Sequence, residues 1–324
     1  MKIESKKRVI GFDIARVISI IIIVLYHSLG YGCSYYSHSA IRSIAYASLS
    51  IFTFQSGFLL ATRYDLQNCT FFDFTKKRLL RIWPLFLFSS VILCLIGFNS
   101  WFSTAKAWLG LSSFWRPAPR TMWYVGLLIF LYIGTLFWAK GGLLKQIIKF
   151  TVTMGIIVGV QLVFHSVDIR TFVYTPIYFA GIIIGQYGYR KFFSFITTPK
   201  YIIIMLLLFV AILMVQIFKI KGNLMLMWVN SIIGMVALMS CYVYLGEKWK
   251  DNENLVSKLS MLSYATFCIY LFHREVFAGL IMLWKPSSQY QMVPYLGFVG
   301  LAIVIPLAYY IQKGYDRIIK KMNL

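Results

Sequence analysis

The chain has 324 residues, of which 60% are hydrophobic and only 13% charged, and its mean hydropathy is +0.74. That balance excludes a water-soluble globular enzyme and places the chain in a lipid bilayer. A formal net charge of +22 would suit a nucleic acid, but in a membrane chain it reports topology first, so no nucleic-acid partner is expected.

The five cysteines, Cys33, Cys69, Cys94, Cys241 and Cys268, contain no CxxC pair, which argues against a disulfide framework or a zinc site. The N-terminal MKIESKKR leads into a long apolar run without a small-residue cleavage site, and reads as an uncleaved first span. Ten apolar runs are long enough to cross as helices. They fall near residues 10–31, 40–61, 79–98, 122–139, 146–164, 172–188, 201–219, 224–245, 261–284 and 292–312. The expected fold is an all-α polytopic membrane helix bundle.

Lys and Arg gather on one side of this arrangement. That side holds Lys2, Lys6, Lys7 and Arg8, the 62–81 segment, Lys140 to Lys149, Arg190 to Lys200, Lys248 to Lys258, and the tail from Lys313. The other side is sparser, with Arg42, Lys106, Arg116, Arg120, Arg170, Lys219, Lys221 and Lys285. The bias predicts both termini in the cytoplasm, in agreement with an even number of spans. The longest stretch between spans, 99–121, carries aromatics and a Pro-Ala-Pro turn, and reads as an amphipathic or looped cap on the outer surface. No stretch is large enough for a separate folded domain, so residues 1–324 are expected to form one transmembrane domain without a fused soluble one.

The first span is the most informative. Gly11 to Ser28 is almost wholly apolar, yet it carries Asp13, Arg16 and His27. Ionisable groups at membrane depth are costly and by default mark function. At about 100° per residue, Arg16 and His27 are about 20° apart around a helix, and Asp13 and His27 about 40°. All three therefore share one stripe. Asp13, near the membrane edge, reads on its own as structural glue. A second cluster, Lys76-Lys77-Arg78-Leu-Leu-Arg81-Ile-Trp-Pro84, opens the third span. Arg78 and Arg81 sit at i, i+3 and face one way. Two guanidiniums match phosphate oxygens by bidentate contacts, whereas Lys76 and Lys77 read as anchors to lipid headgroups.

These motifs carry a family resemblance. FDIAR, ten residues, then His27 in a first membrane helix resembles the acyltransferase-3 family of membrane O-acyltransferases. Arg78-x-x-Arg81 followed by Ile, Trp and Pro84 resembles the family's second hallmark. Further likenesses are Phe52 to Leu60 (FTFQSGFLL), Met122 to Tyr132 (MWYVGLLIFLY) and Leu259 to His273 (LSMLSYATFCIYLFH). Residues 140–258 match in hydropathy only. Ser56 with Gly57 reads as a close helix-packing point, since it lacks the flanking glycines of a hydrolase elbow.

The resemblance implies transfer of an acyl group, acetyl in the usual case, from cytoplasmic acyl-CoA to a hydroxyl of a saccharide or glycolipid. Such an acceptor would be a cell-surface polysaccharide or its lipid-linked precursor, and the protein a multi-pass cell-membrane enzyme among membrane lipids that needs no metal. Arg78, Arg81 and Arg16 would hold the phosphates of acetyl-CoA. Eleven residues, roughly 16 Å of helix, separate Arg16 from His27, which suits a long donor whose thioester reaches His27. That imidazole, with an ordinary pKa near neutrality, would be the general base. The alternative is a proton-coupled transporter or exporter of polysaccharide, for which intramembrane His, Arg and Glu would also serve.

His273 and Glu275 lie in the ninth span. Residues two apart do not share a helix face, so at most one of them faces the cavity. Asp13 is about 21 Å from His27 along the first helix and cannot orient it. With spans starting near 10 and 261, His27 and Glu275 lie at similar depths, about 25 and 21 Å. Glu275 is therefore expected to orient or charge His27 as a second catalytic residue. Pairing of Glu275 with Arg274, Glu275 facing an outer aqueous vestibule, or His273 in the cavity instead, are the other arrangements these residues allow.

Overall fold

A computed structural model describes residues 8–31, 33, 38–218 and 224–321. The basic residues Lys2, Lys6, Lys7, Lys219 and Lys221 of the topology pattern lie outside the described residues. In chain order the helices are α1 (Ile10–Leu29), α2 (Ser39–Arg63), α3 (Phe71–Leu95), α4 (Trp101–Trp108), α5 (Trp123–Ala139), α6 (Leu143–Phe164) and α7 (Ile169–Ile183), then α8 (Tyr189–Thr197), α9 (Pro199–Phe218), α10 (Leu224–Trp249), α11 (Glu253–Leu283), α12 (Gln289–Pro294) and α13 (Gly300–Lys321). π-helical turns at Ile184–Gly188 and Tyr295–Val299 continue α7 into α8 and α12 into α13. No strand occurs among the described residues. The fold is an all-α polytopic helix bundle.

Eight helical stretches among the described residues are long and apolar enough to cross a bilayer. The other two predicted spans are shorter helices than their apolar runs suggested. α5 has 17 residues and α7 has 15, the latter reaching span length only through the π turn that follows it. The ninth span differs the other way. It begins at Glu253 rather than near 261, because the Asn252 side chain accepts a hydrogen bond from the Leu255 N–H at 3.0 Å and caps the helix. Thr70 caps α3 likewise through the Asp73 N–H at 3.2 Å, and the helix runs on through Pro84. A bilayer tolerates such a proline when neighbouring groups satisfy the freed carbonyl.

The helices form two compact units. The first comprises the described residues up to Phe52 together with Arg190–Lys321. In it α1 packs on α10 and α11, α11 on α13, and α9 on α10. Ala47, Phe209 and Ala237 are buried together where α2, α9 and α10 meet. Polar bonds tie the same helices, from Ser39 Oγ to the Gln216 carbonyl (2.9 Å) and from Asn230 Nδ2 to Gln216 Oε1 (3.0 Å).

The second unit is Thr53–Tyr189. Gly57 of α2 lies against the Tyr178 backbone of α7, and Gly181 of α7 against the Phe54 backbone, so each helix lends the other a glycine. Gly57 is thus the packing point expected of it. The 99–121 stretch contains α4 and a 3-10 turn at Leu111–Ser113. Lys106 does not serve there as a surface charge. It is 5% exposed, donates to the Trp115 carbonyl at 2.9 Å and lies over the Phe102 and Trp115 rings.

Large apolar side chains stand exposed on α6 and α9, among them Leu162 (69%), Phe164 (70%) and Leu207 (65%). A surface of this kind is untenable in water and is matched by lipid tails.

Candidate functional site

The polar stripe of α1 divides into separate roles. Asp13 is buried and accepts from Arg8 Nε at 2.6 Å and from Ser263 Oγ of α11 at 2.7 Å. Its carboxylate is thereby a clamp between two helices, in line with the structural reading of that residue. Arg16, one turn further on, is half-buried. His27 lies in the last turn, just before the Gly30 cap.

The His27 side chain meets α11. Its Nδ1 lies 2.8 Å from His273 Nε2. The ring centroids are 4.9 Å apart and the planes differ by 3°. That separation is close to the N···N distance plus two ring radii, so the imidazoles lie edge to edge in nearly one plane, joined by a hydrogen bond rather than stacked. His273 is fully buried. Its Nδ1 lies 2.8 Å from the Tyr270 carbonyl and 3.2 Å from that of Ile269, in the preceding turn. The Phe277 ring stands edge-on to it, with centroids 5.7 Å apart.

Arg274 also reaches His27, by the backbone. Its Nη1 donates to the His27 carbonyl at 3.4 Å, and its guanidinium lies 5.4 Å from the Tyr31 ring centroid. The Gly30 N–H donates to the same carbonyl at 3.2 Å. The end of α1 is therefore held through both side chain and main chain by two consecutive residues of α11. Of the two residues the sequence left open, it is His273 that meets a ring nitrogen of His27. Glu275 is half-buried two residues further along α11.

In the second unit, the Arg78 guanidinium lies 4.3 Å from the Tyr64 ring centroid. Its Nε is buried without a hydrogen-bond partner among the described residues. Tyr132, Arg81, Tyr178 and Arg63 are within electrostatic range of it, and Tyr178 Oη is 2.6 Å from Thr135 Oγ1. Arg81 is exposed, as are Lys76 and Lys77. The i, i+3 pair is thus graded, with Arg78 set among tyrosines and Arg81 at the surface. The tyrosines were not singled out from the sequence, although Tyr132 closes the MWYVGLLIFLY motif. Among the described residues, no three His, Cys, Asp or Glu side chains are grouped to hold a metal ion.

An apolar helix bundle in which a fully buried imidazole is bonded to a half-buried one, and an arginine is laid on a tyrosine ring, has the character of a membrane protein with polar groups held inside it. Residues 9–313 match the acyltransferase-3 family model, described as an acyltransferase domain. The chain belongs to this family and is a membrane acyltransferase. No curated protein and no solved structure matches it.

Proposed function

We propose that the chain is an O-acetyltransferase of the cell membrane, moving an acetyl group from acetyl-CoA to a hydroxyl of a saccharide or glycolipid. His27 is the general base. It takes the proton of the acceptor hydroxyl as that oxygen attacks the thioester carbonyl. A C–O bond forms, the C–S bond breaks, and CoA leaves as the thiolate, which recovers a proton. Arg78 and Arg81, with Arg16, bind the phosphates of the donor, and Glu275 supports His27 by its negative charge. Residues 1–324 act as one transmembrane acyltransferase domain, with both termini in the cytoplasm.

The observation that carries this reading is the held imidazole of His27 within a domain of the acyltransferase family. A titratable ring at a fixed orientation inside an apolar span is what proton abstraction from a hydroxyl requires. A proton carrier would need no acyl-CoA. The test is transfer of labelled acetyl from acetyl-CoA to surface glycans by the full chain in nanodiscs, read by mass spectrometry. His27→Ala should lower transfer by at least about 10²-fold with membrane expression unchanged. Near-wild-type turnover in that variant would remove His27 from the chemistry, and no acetylated glycan under any condition would remove the proposed reaction.

A further inference from the structure

We propose that His273 sets the tautomer of His27, holding the His27 proton on Nδ1 so that Nε2 is left as the bare, basic nitrogen. This rests on the reading of His27 as the general base, and makes His273 a positioning residue for it.

The argument follows the protons along one line of atoms. Carbonyl oxygens only accept hydrogen bonds. His273 Nδ1 lies 2.8 Å from the Tyr270 carbonyl and 3.2 Å from that of Ile269, so this nitrogen carries a hydrogen. The His273 ring is wholly buried, with Arg274 as its neighbour in the chain. A second cation beside that guanidinium, away from water, is strongly disfavoured, so the ring is neutral. A neutral imidazole with its hydrogen on Nδ1 has only a lone pair on Nε2. The atom facing that lone pair is His27 Nδ1, at 2.8 Å. It must donate. The neutral His27 ring then has its own lone pair on Nε2, and among the described residues nothing hydrogen-bonds that nitrogen.

The arrangement also suits the reaction step. When His27 Nε2 takes a proton, Nδ1 still donates to His273 and no bond in the line has to reverse. An unconstrained imidazole populates both tautomers, and the one with hydrogen on Nε2 cannot act as base from that position. A carboxylate does this orienting work in the Ser-His-Asp arrangement, where loss of the correct tautomer is costly. Here a second imidazole does it, anchored on its own helix backbone.

Two measurements on the full chain in nanodiscs test the proposal. The first is the 15N spectrum of histidine-labelled protein. The chain has four histidines, and the His27 signals are assigned by their loss in His27→Ala. The expected wild-type pattern is a protonated Nδ1 and an imine-like Nε2 on His27. The second is a substitution series at His273. Gln offers an acceptor oxygen near the place of Nε2, so His273→Gln should keep turnover within about tenfold. His273→Leu, of similar bulk with no acceptor, should lose about 10²-fold or more with the acyl-CoA KM within about twofold, and should show His27 in mixed tautomers. A wild-type spectrum with the hydrogen on His27 Nε2, or wild-type turnover in His273→Leu, would overturn the proposal while leaving His27 as base. Wild-type turnover in His27→Ala would instead overturn the base, and the spectrum would still decide the tautomer.

Discussion

Ser263 Oγ donates to Asp13 Oδ1 at 2.7 Å near the start of α1, and His273 meets His27 at the far end of the same helix pair. Both contacts advance along the two chains together, so α1 and α11 run parallel. Asp13 is buried and its other partner, Arg8, is half-exposed, so the two bonds differ in worth. Ser263→Ala leaves a buried carboxylate short of a donor and should cost about 1–3 kcal/mol. Arg8→Ala removes a half-exposed guanidinium whose place at the carboxylate water can take, and should cost about 1 kcal/mol or less. Thermal midpoints in detergent check the order, and turnover of the folded fraction should be unchanged in both. Equal losses in the two variants would show that the hydroxyl does not carry the clamp.

Arg78 should dominate donor binding over its neighbours. Its guanidinium is laid on Tyr64, whereas Arg81, Lys76 and Lys77 are exposed. Lysine keeps the charge but loses the planar fork and the stacking. We expect Arg78→Lys to raise the acyl-CoA KM about tenfold, the equivalent of about 1.4 kcal/mol, with a smaller rise for Arg81→Lys and almost none for Lys76→Ala. Titration of acyl-CoA against each variant in nanodiscs measures this. Unchanged affinity in an Arg78/Arg81 double-alanine variant would move the donor site elsewhere.

Much of this was legible because polar residues stand out in apolar runs. His27 breaks a hydrophobic pattern, Arg78 and Arg81 recur at i, i+3 where the third span opens, and the parity of the spans already required the first and ninth to run parallel. The partner of His27 was not legible. His273 and Glu275 differ by about 200° around a helix, and which of them faces α1 depends on a rotation that span counting does not supply. The capped start at Asn252 lies well before the apolar run, so depth counted from residue 261 carried no information on that rotation. The tyrosines around Arg78 were hidden for another reason. Aromatics make up 18% of the chain, so three more of them carry little signal until the helices bring them to one guanidinium. α7 starts at Ile169 and gives way to the π turn at Ile184, a change of helix type that hydropathy does not report.

Gly57 tests the packing of the second unit. A Cβ there would overlap the Tyr178 carbonyl oxygen and crowd the Ile182 nitrogen, both backbone atoms that cannot turn aside. Gly57→Ala should therefore destabilise by about 1–3 kcal/mol. Gly155 of α6 is the control, since a Cβ there meets nothing within 4 Å. Gly155→Ala should be neutral or stabilising by up to about 1 kcal/mol through helix propensity. Thermal midpoints compared in one detergent decide between packing and propensity, and a stabilising Gly57→Ala would contradict the close approach of α2 and α7.

Glu275 has a role to test now that His273 occupies the Nδ1 position of His27. A carboxylate that does not orient the ring can still favour the imidazolium formed when His27 takes the acceptor proton. A unit charge within about 10 Å of another contributes about 1–2 kcal/mol at an effective dielectric near 20. Glu275→Gln, which keeps the shape and removes the charge, should then lower kcat about tenfold, while Glu275→Asp should retain most of it. The acyl-CoA KM should stay within about twofold in both, because the donor phosphates are assigned to Arg78 and Arg81. The His27 tautomer pattern should also persist in Glu275→Gln, since that pattern depends on the Tyr270 carbonyl and His273. A wild-type kcat in Glu275→Gln would leave the imidazole pair to work without it. A changed tautomer pattern would mean that the carboxylate, and not the second histidine alone, determines which nitrogen of His27 is bare.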